Sequence, residues 1–218
     1  MQSPMNRRDF SSVLLASGAG ASFLFAGSGA HAQAPVEGRE YTLISPPQHP
    51  STAGKVEVLE FFTYACPHCS SFEPMVGPWA RSLPADVVFH RVPVNFLFNA
   101  DNFARTYYAL ETVGLVDAMQ PKVFAAVHIE KQRLDKPEDI AALVAKNGGD
   151  AAKFLAAFKS FSVATSVTRA KKLQADYKIE AVPALTIQGR WLTSPSQANG
   201  GPQSLAVADA LIDKARKG

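Results

Sequence analysis

The stretch from Lys55 to Phe72, KVEVLEFFTYACPHCSSF, constrains this chain more than any other. Val56 to Phe62 is a bulky, β-rich run of strand length. A short turn leads into Cys66-Pro67-His68-Cys69, and the residues that follow suit a helix. The two cysteines are the only ones among 218 residues, so any sulfur chemistry the protein performs is confined to this turn.

With Cys66 at the start of the helix, its sulfur would face unpaired backbone N–H groups and the positive end of the helix dipole. Both favour thiolate over thiol, and the pKa of Cys66 is expected to fall. Pro67 then takes the first helical position, where its missing N–H costs nothing. Cys69 lies one turn on along the same face and can close a small disulfide ring with Cys66. His68 can add a positive charge or a donor near the Cys66 sulfur. A stabilised thiolate stabilises the reduced form, which makes the disulfide more oxidising. Two other readings of the pair remain open at this point. A plain staple across so short a loop would stabilise little. A zinc site would need two further ligands, while the five histidines are scattered.

LEFFTYACPHC followed by SSFEP closely resembles the DsbA-like thiol:disulfide oxidoreductases of the thioredoxin superfamily. The likeness extends to GREYTLISPP as the N-terminal segment, VPVNF as the second core strand, and EAVPALTIQGRW as the cis-proline loop with its hairpin, and covers roughly Val36 to the C-terminus. It implies an α/β thioredoxin fold with an inserted helical subdomain. The domain would split into residues 33–100 and 163–218 around an insertion at 101–162.

Residues 1–32 are expected to be an export signal rather than fold. Arg7-Arg8-Asp9-Phe10 resembles a twin-arginine signal, although Ser11 stands where leucine is usual, so general secretion is the alternative route. A mildly apolar run from Ser11 to Gly29 ends at Ala30-His31-Ala32, an A-x-A site predicting cleavage after Ala32; an uncleaved anchor is the competing reading. Cleavage leaves 20 basic against 18 acidic residues, and with no basic cluster nothing suggests nucleic acid. Export to the periplasm would place both cysteines where disulfides persist.

Along the chain, Tyr41 to Ile44 reads as an edge strand and Ser45 to Gly54 as a proline-rich loop. A helix running towards Leu83 is expected to bend near Pro74, with its second half a possible separate helix. Val87 to Val94 forms the next strand. Asp101 is expected to cap a helix ending at Gly114, and a second helix to span Ala118 to His128 with an irregular start at Pro121. Asp135 and Asp150 would cap two more, and Ser162 to Tyr177 would return to the sheet. The aromatic residues of these helices are expected in the core, with lining of an apolar groove as the sharper alternative. Ala184 to Ile187 and Trp191-Leu192 make a hairpin through Gln188-Gly189-Arg190, and Ser204 starts a final helix.

The resemblance also assigns roles. Cys66 is the attacked sulfur, exposed to substrate, and Cys69 the resolving one, with Pro67 and His68 tuning the pair. Glu60, six residues before Cys66 in an apolar run, is expected beneath the active site with a raised pKa and a proton-handling role, partnered by Arg91. Val182 would offer backbone groups to an extended substrate beside a cis Pro183. The implied partners are unfolded exported proteins and a DsbB-type quinone-linked membrane oxidase, for a monomer with no cofactor beyond the Cys66–Cys69 disulfide and no metal. A reductase or isomerase is the alternative within enzymes. Isomerases of the superfamily usually carry a dimerisation region before the domain, whereas here only Gln33 to Gly38 precedes it after cleavage. A metal chaperone using Cys66, His68 and Cys69 is the alternative from another class.

Overall fold

The computed structural model describes residues 34–218; the expected signal, its Arg7-Arg8 pair and the cleavage point after Ala32 lie outside the described residues. The strands are β1 (Thr42–Leu43), β2 (Val56–Phe62), β3 (Val87–Pro93), β4 (Ala184–Ile187) and β5 (Trp191–Thr193). They form a mixed sheet in the order β1-β5-β4-β2-β3, with β3 parallel to β2 and the other neighbours antiparallel. All seven residues of β2 are buried, as expected of a strand covered on both faces. Val56 and Val58 point to one side with Leu185 and Ile187, whereas Leu59 and Phe61 point to the other with Tyr177 and Ile179.

Helices α1 (Pro67–Ser82) and α7 (Gly201–Arg216) cover the first face through Phe72, Val76, Ala208 and Leu211. Helix α6 (Phe161–Asp176) covers the second through Ala170. Between β3 and α6 the chain builds α2 (Ala100–Thr112), α3 (Val116–His128), α4 (Pro137–Lys146) and α5 (Ala151–Phe158). Their apolar stripes carry Phe103, Tyr107, Leu110, Phe124, Phe154 and Phe158, all buried, which supports core packing for most of these aromatics. This core is continuous with Phe62, Tyr64, Cys66 and Cys69, so the helical insertion packs directly against the cysteine turn. This is the thioredoxin arrangement with a helical insertion that the resemblance implies.

Several local expectations are corrected. Helix α1 is one helix from Pro67 to Ser82 despite Pro74 and Pro78. Each proline gives up one backbone bond, but proline's fixed φ is helical, and Phe72 and Val76 anchor the helix to the sheet on either side of Pro74. Asp101 does not cap α2. Asn99, in the left-handed region, occupies that position, while Asp101 sits in the first turn and pairs with Arg105 and Lys171. Lys136 rather than Asp135 precedes α4, and the Asp139 carboxylate accepts from the Lys136 N–H. Helix α3 begins at Val116 and contains Pro121; α7 begins at Gly201, and the Ser204 hydroxyl donates to the Gly201 carbonyl.

Candidate active site

β2 ends at Phe62, and Thr63 to Ala65 turn the chain into α1 with Cys66 as its N-cap, at φ −89° and ψ 118°. The Cys69 N–H donates to Cys66 Sγ at 3.4 Å, and Pro67 opens the helix. Both cysteines are free thiols in this structure. Cys66 is only 5% exposed and Cys69 1%, so the expectation of an exposed Cys66 is corrected. The helix N-terminus and the Val182 loop close over its sulfur and leave an edge, while Pro67 and His68 are exposed beside it.

The two sulfurs sit in opposite electrostatic situations. Cys66 is lowered to about 6, first by the hydrogen bond from the Cys69 thiol, against the opposing effect of burial, with further help from the Cys69 and His68 backbone N–H groups and the His68 charge. Cys69 is pushed far up by burial, and then by its bond to Cys66 and the charge of Glu60. One sulfur is therefore built to hold negative charge and the other to hold a proton.

Across the turn, the Val182 carbonyl accepts from the Cys66 thiol at 3.5 Å, and the Val182–Pro183 bond is cis. A cavity of about 740 Å³ opens beside them, lined by His68, Ile179, Val182, Pro183, Leu192 and Pro195 among others. The structure thus brings His68, Val182 and Pro183 together at Cys66.

Below the turn, the Glu60 side chain is 2% exposed and accepts from Arg91 Nε at 2.8 Å. Arg91 reaches α1 as well, with Nη2 donating to both oxygens of Glu73 at 3.1 Å. Burial pushes the Glu60 carboxyl up against the pull of Arg91. Burial also raises Glu73, to about 7; Arg91 opposes the rise and the Glu60 charge adds to it. Burial works against the charge on Arg91, but the two carboxylates more than restore it and hold the guanidinium protonated.

The sequence reading missed Glu73. Its signal was an acid one turn after Cys69 on a stripe, Cys69-Phe72-Val76, that is otherwise apolar and buried. Also missed were the groups that fix the turn from α3. Tyr64 donates its hydroxyl to Gln120 Oε1, and a His128 ring nitrogen lies 2.7 Å from the Tyr64 carbonyl oxygen. Pro74, Gly77 and Pro78 face Pro121 and Phe124 across a cavity of about 350 Å³ between α1 and α3, so Phe124 does border a groove. Among the described residues no three His, Cys, Asp or Glu side chains gather as a metal-binding set, Cys66, His68 and Cys69 included. Nor is any described helix long and apolar enough to cross a membrane.

The model of the DSBA-like thioredoxin domain matches residues 78–211. A thiol:disulfide interchange protein DsbA of Bordetella pertussis is 41% identical over 214 residues, 98% of this chain and 100% of that protein. The DsbA of Pseudomonas aeruginosa is 37% identical over 87% of this chain and 90% of its own length. A crystal structure of Pseudomonas aeruginosa DsbA superposes with a TM-score of 0.81 at 37% identity, covering 84% of this chain and 95% of that one. The oxidoreductase DsbA from Xylella fastidiosa gives 0.77 at 28% identity, covering 84% and 99%.

Proposed function

The chain belongs to the DsbA-like thioredoxin-domain family and is a thiol:disulfide oxidoreductase, and within that activity we propose that it is an oxidant that donates the Cys66–Cys69 disulfide to newly exported proteins. The observation that carries the direction is the opposed pull on the two sulfurs, with Cys66 lowered to about 6 while Cys69 is driven up. A stabilised Cys66 thiolate stabilises the reduced enzyme, so the disulfide gives itself up readily.

In the reaction, a substrate thiolate attacks Cys66 Sγ. The Cys66–Cys69 bond breaks, a mixed disulfide forms and Cys69 leaves with the electron pair. A thiolate at 1% exposure is costly, so Cys69 takes up a proton as it leaves. The Glu60 carboxyl, raised by burial and tied through Arg91 to Glu73, is the nearby group suited to give it. The second substrate thiolate then attacks the substrate sulfur and expels Cys66 as a stable thiolate. The substrate is oxidised by two electrons and the enzyme reduced by two. Two substrate thiols have lost protons, Cys69 has gained one, and one is released. The Val182 backbone and the cavity around Pro183 hold the substrate extended beside Cys66, with His68 on the rim.

The same reading takes the chain to the periplasm with its signal removed after Ala32, acting as a monomer. It is reoxidised there by a DsbB-type quinone-linked membrane oxidase, and no cofactor is needed beyond the disulfide. The test is the redox equilibrium of residues 33–218 in graded glutathione buffers. The protein is expected to stay reduced in buffers that oxidise thioredoxin. An equilibrium like that of thioredoxin would make it a reductase.

A further inference from the structure

Three side chains of α3 grip a single residue of the cysteine turn. Gln120, Phe124 and His128 follow one another at steps of four along one stripe of the helix. Gln120 Oε1 accepts from the Tyr64 hydroxyl. The Phe124 ring meets the Tyr64 ring edge to face, with centroids 5.0 Å apart. His128 Nε2 lies 2.7 Å from the Tyr64 carbonyl oxygen, and its own ring packs on Phe124 at 6.2 Å. Tyr64, two residues before Cys66, is thus held at its hydroxyl, its ring and its backbone. A carbonyl oxygen only accepts, so His128 Nε2 carries the hydrogen. That bond survives titration of the ring, because Nε2 donates in the neutral tautomer it selects and in the imidazolium alike.

The Tyr64 carbonyl belongs to the peptide that leads into Ala65, and the far end of that peptide is held as well. The Ala65 N–H donates to Thr63 Oγ1 at 3.3 Å, and the next N–H, of Cys66, donates to the Thr63 carbonyl at 3.1 Å. With this plane fixed, Cys66 enters α1 as its N-cap, its sulfur meeting the Cys69 N–H and the Val182 carbonyl. In the oxidised enzyme the covalent bond to Cys69 places the Cys66 sulfur by itself. The reduced enzyme has no such tether, and the turn decides where the thiolate sits. We propose that His128 is a positioning residue for the exchange reaction: its Nε2–H, backed by Gln120 and Phe124, locks the Tyr64–Ala65 peptide and so keeps the Cys66 thiolate against the N-terminus of α1 once the disulfide has opened. The helical insertion thereby acts on the redox balance through one side chain of α3, without touching either sulfur.

The test compares residues 33–218 with His128→Phe, which keeps a ring on Phe124 but has no donor, and with His128→Gln, which keeps a donor. His128→Leu takes the place of the phenylalanine variant should that one not fold. Two quantities are read: the redox equilibrium with glutathione at pH 8, and the titration of the Cys66 thiolate by its far-ultraviolet absorbance. In His128→Phe the equilibrium is expected to move about fivefold towards the oxidised enzyme, the scale of one hydrogen bond, and the thiolate titration to rise by about 0.7 unit with it. His128→Gln should return both to within about twofold of the parent. Each variant is read against the parent, so the outcome does not depend on whether the parent runs as oxidant or reductant. A purely structural His128 would weaken the reduced and oxidised folds alike and leave both readouts in place, and that result overturns the proposal. So does a glutamine variant that behaves like the phenylalanine one, since the donor would then be irrelevant. An equilibrium that moves while the thiolate titration stays put also overturns it, because the loss would then lie in the disulfide form.

Discussion

Acidification should cost the reduced protein stability that the oxidised protein does not lose. Cys66 titrates near 6 in the fold against 9.0 for a free cysteine. A depressed pKa stabilises the fold fully above the unfolded value, and the gain disappears as pH falls through the folded value. Linkage for one such site gives about 2.7 kcal/mol at pH 8, about 1.4 at pH 7 and about 0.1 at pH 5. The sulfur has an edge to solvent, and screening at that edge cuts these figures by about half. A fall of about 1.3 kcal/mol between pH 8 and pH 5 remains. Cys69 adds almost nothing in this window, because it is protonated in both the folded and unfolded states. The oxidised form carries no thiolate, so subtracting its stability removes the contributions of carboxylates and histidines elsewhere. Urea unfolding of both forms across this range, with thiolate absorbance in the far ultraviolet as an independent titration, measures the effect. A reduced-minus-oxidised difference that stays flat from pH 8 to pH 5 would refute the argument, as would a thiolate that appears only near the free-cysteine value.

Three other perturbations follow from the geometry. Cys69→Ala removes the first cause of the low Cys66 pKa and should raise it by about one unit or more, whereas Cys69→Ser keeps a hydroxyl donor and should raise it less; equal shifts in the thiolate titration would point away from the thiol–thiolate bond. Arg91→Met leaves two buried carboxylates facing each other without a cation and should cost about 3–5 kcal/mol near neutral pH. Because both carboxyls are raised in the fold, that penalty should shrink on acidification, and a penalty independent of pH in urea unfolding would contradict this account. Gly189 sits at φ +62°, and a Cβ there would lie 2.1 Å from the Gln48 carbonyl oxygen. Gly189→Ala should therefore cost about 2 kcal/mol or more and lower Tm by about 2–4 °C for each kcal/mol, and an unchanged Tm would show that the loop yields.

How far the sequence reaches depends on how local the interaction is. The strand Val56 to Phe62, the turn, Cys66 as N-cap and Pro67 at the first helical position all depend on residues within a few places of one another, and all were legible. So were the β4–β5 hairpin and the apolar stripes of the inserted helices, because periodicity reports which face is covered. Helix caps were less legible. Asp101 and Asp135 have the right chemistry for capping, but they are drawn to nearby cations instead. That α1 runs unbroken through two prolines was not legible either, because the packing of Phe72 and Val76 on the sheet outweighs a local preference to break.

What only the tertiary structure decided is the company the reactive groups keep. Val182 meets Cys66 across 116 positions, Gln120 meets Tyr64 across 56, and Arg91 joins Glu60 to a Glu73 that spacing alone did not mark. The sequence shows that a carboxylate in an apolar run must find a partner, since leaving it buried and unpaired is too costly. It does not show which partner, because that depends on how β2, β3, α1 and α3 stack, and stacking is set by the summed burial of many side chains. Local chemistry made Cys66 a reactive cysteine; the packing of distant elements decided how its charge and the proton of Cys69 are held.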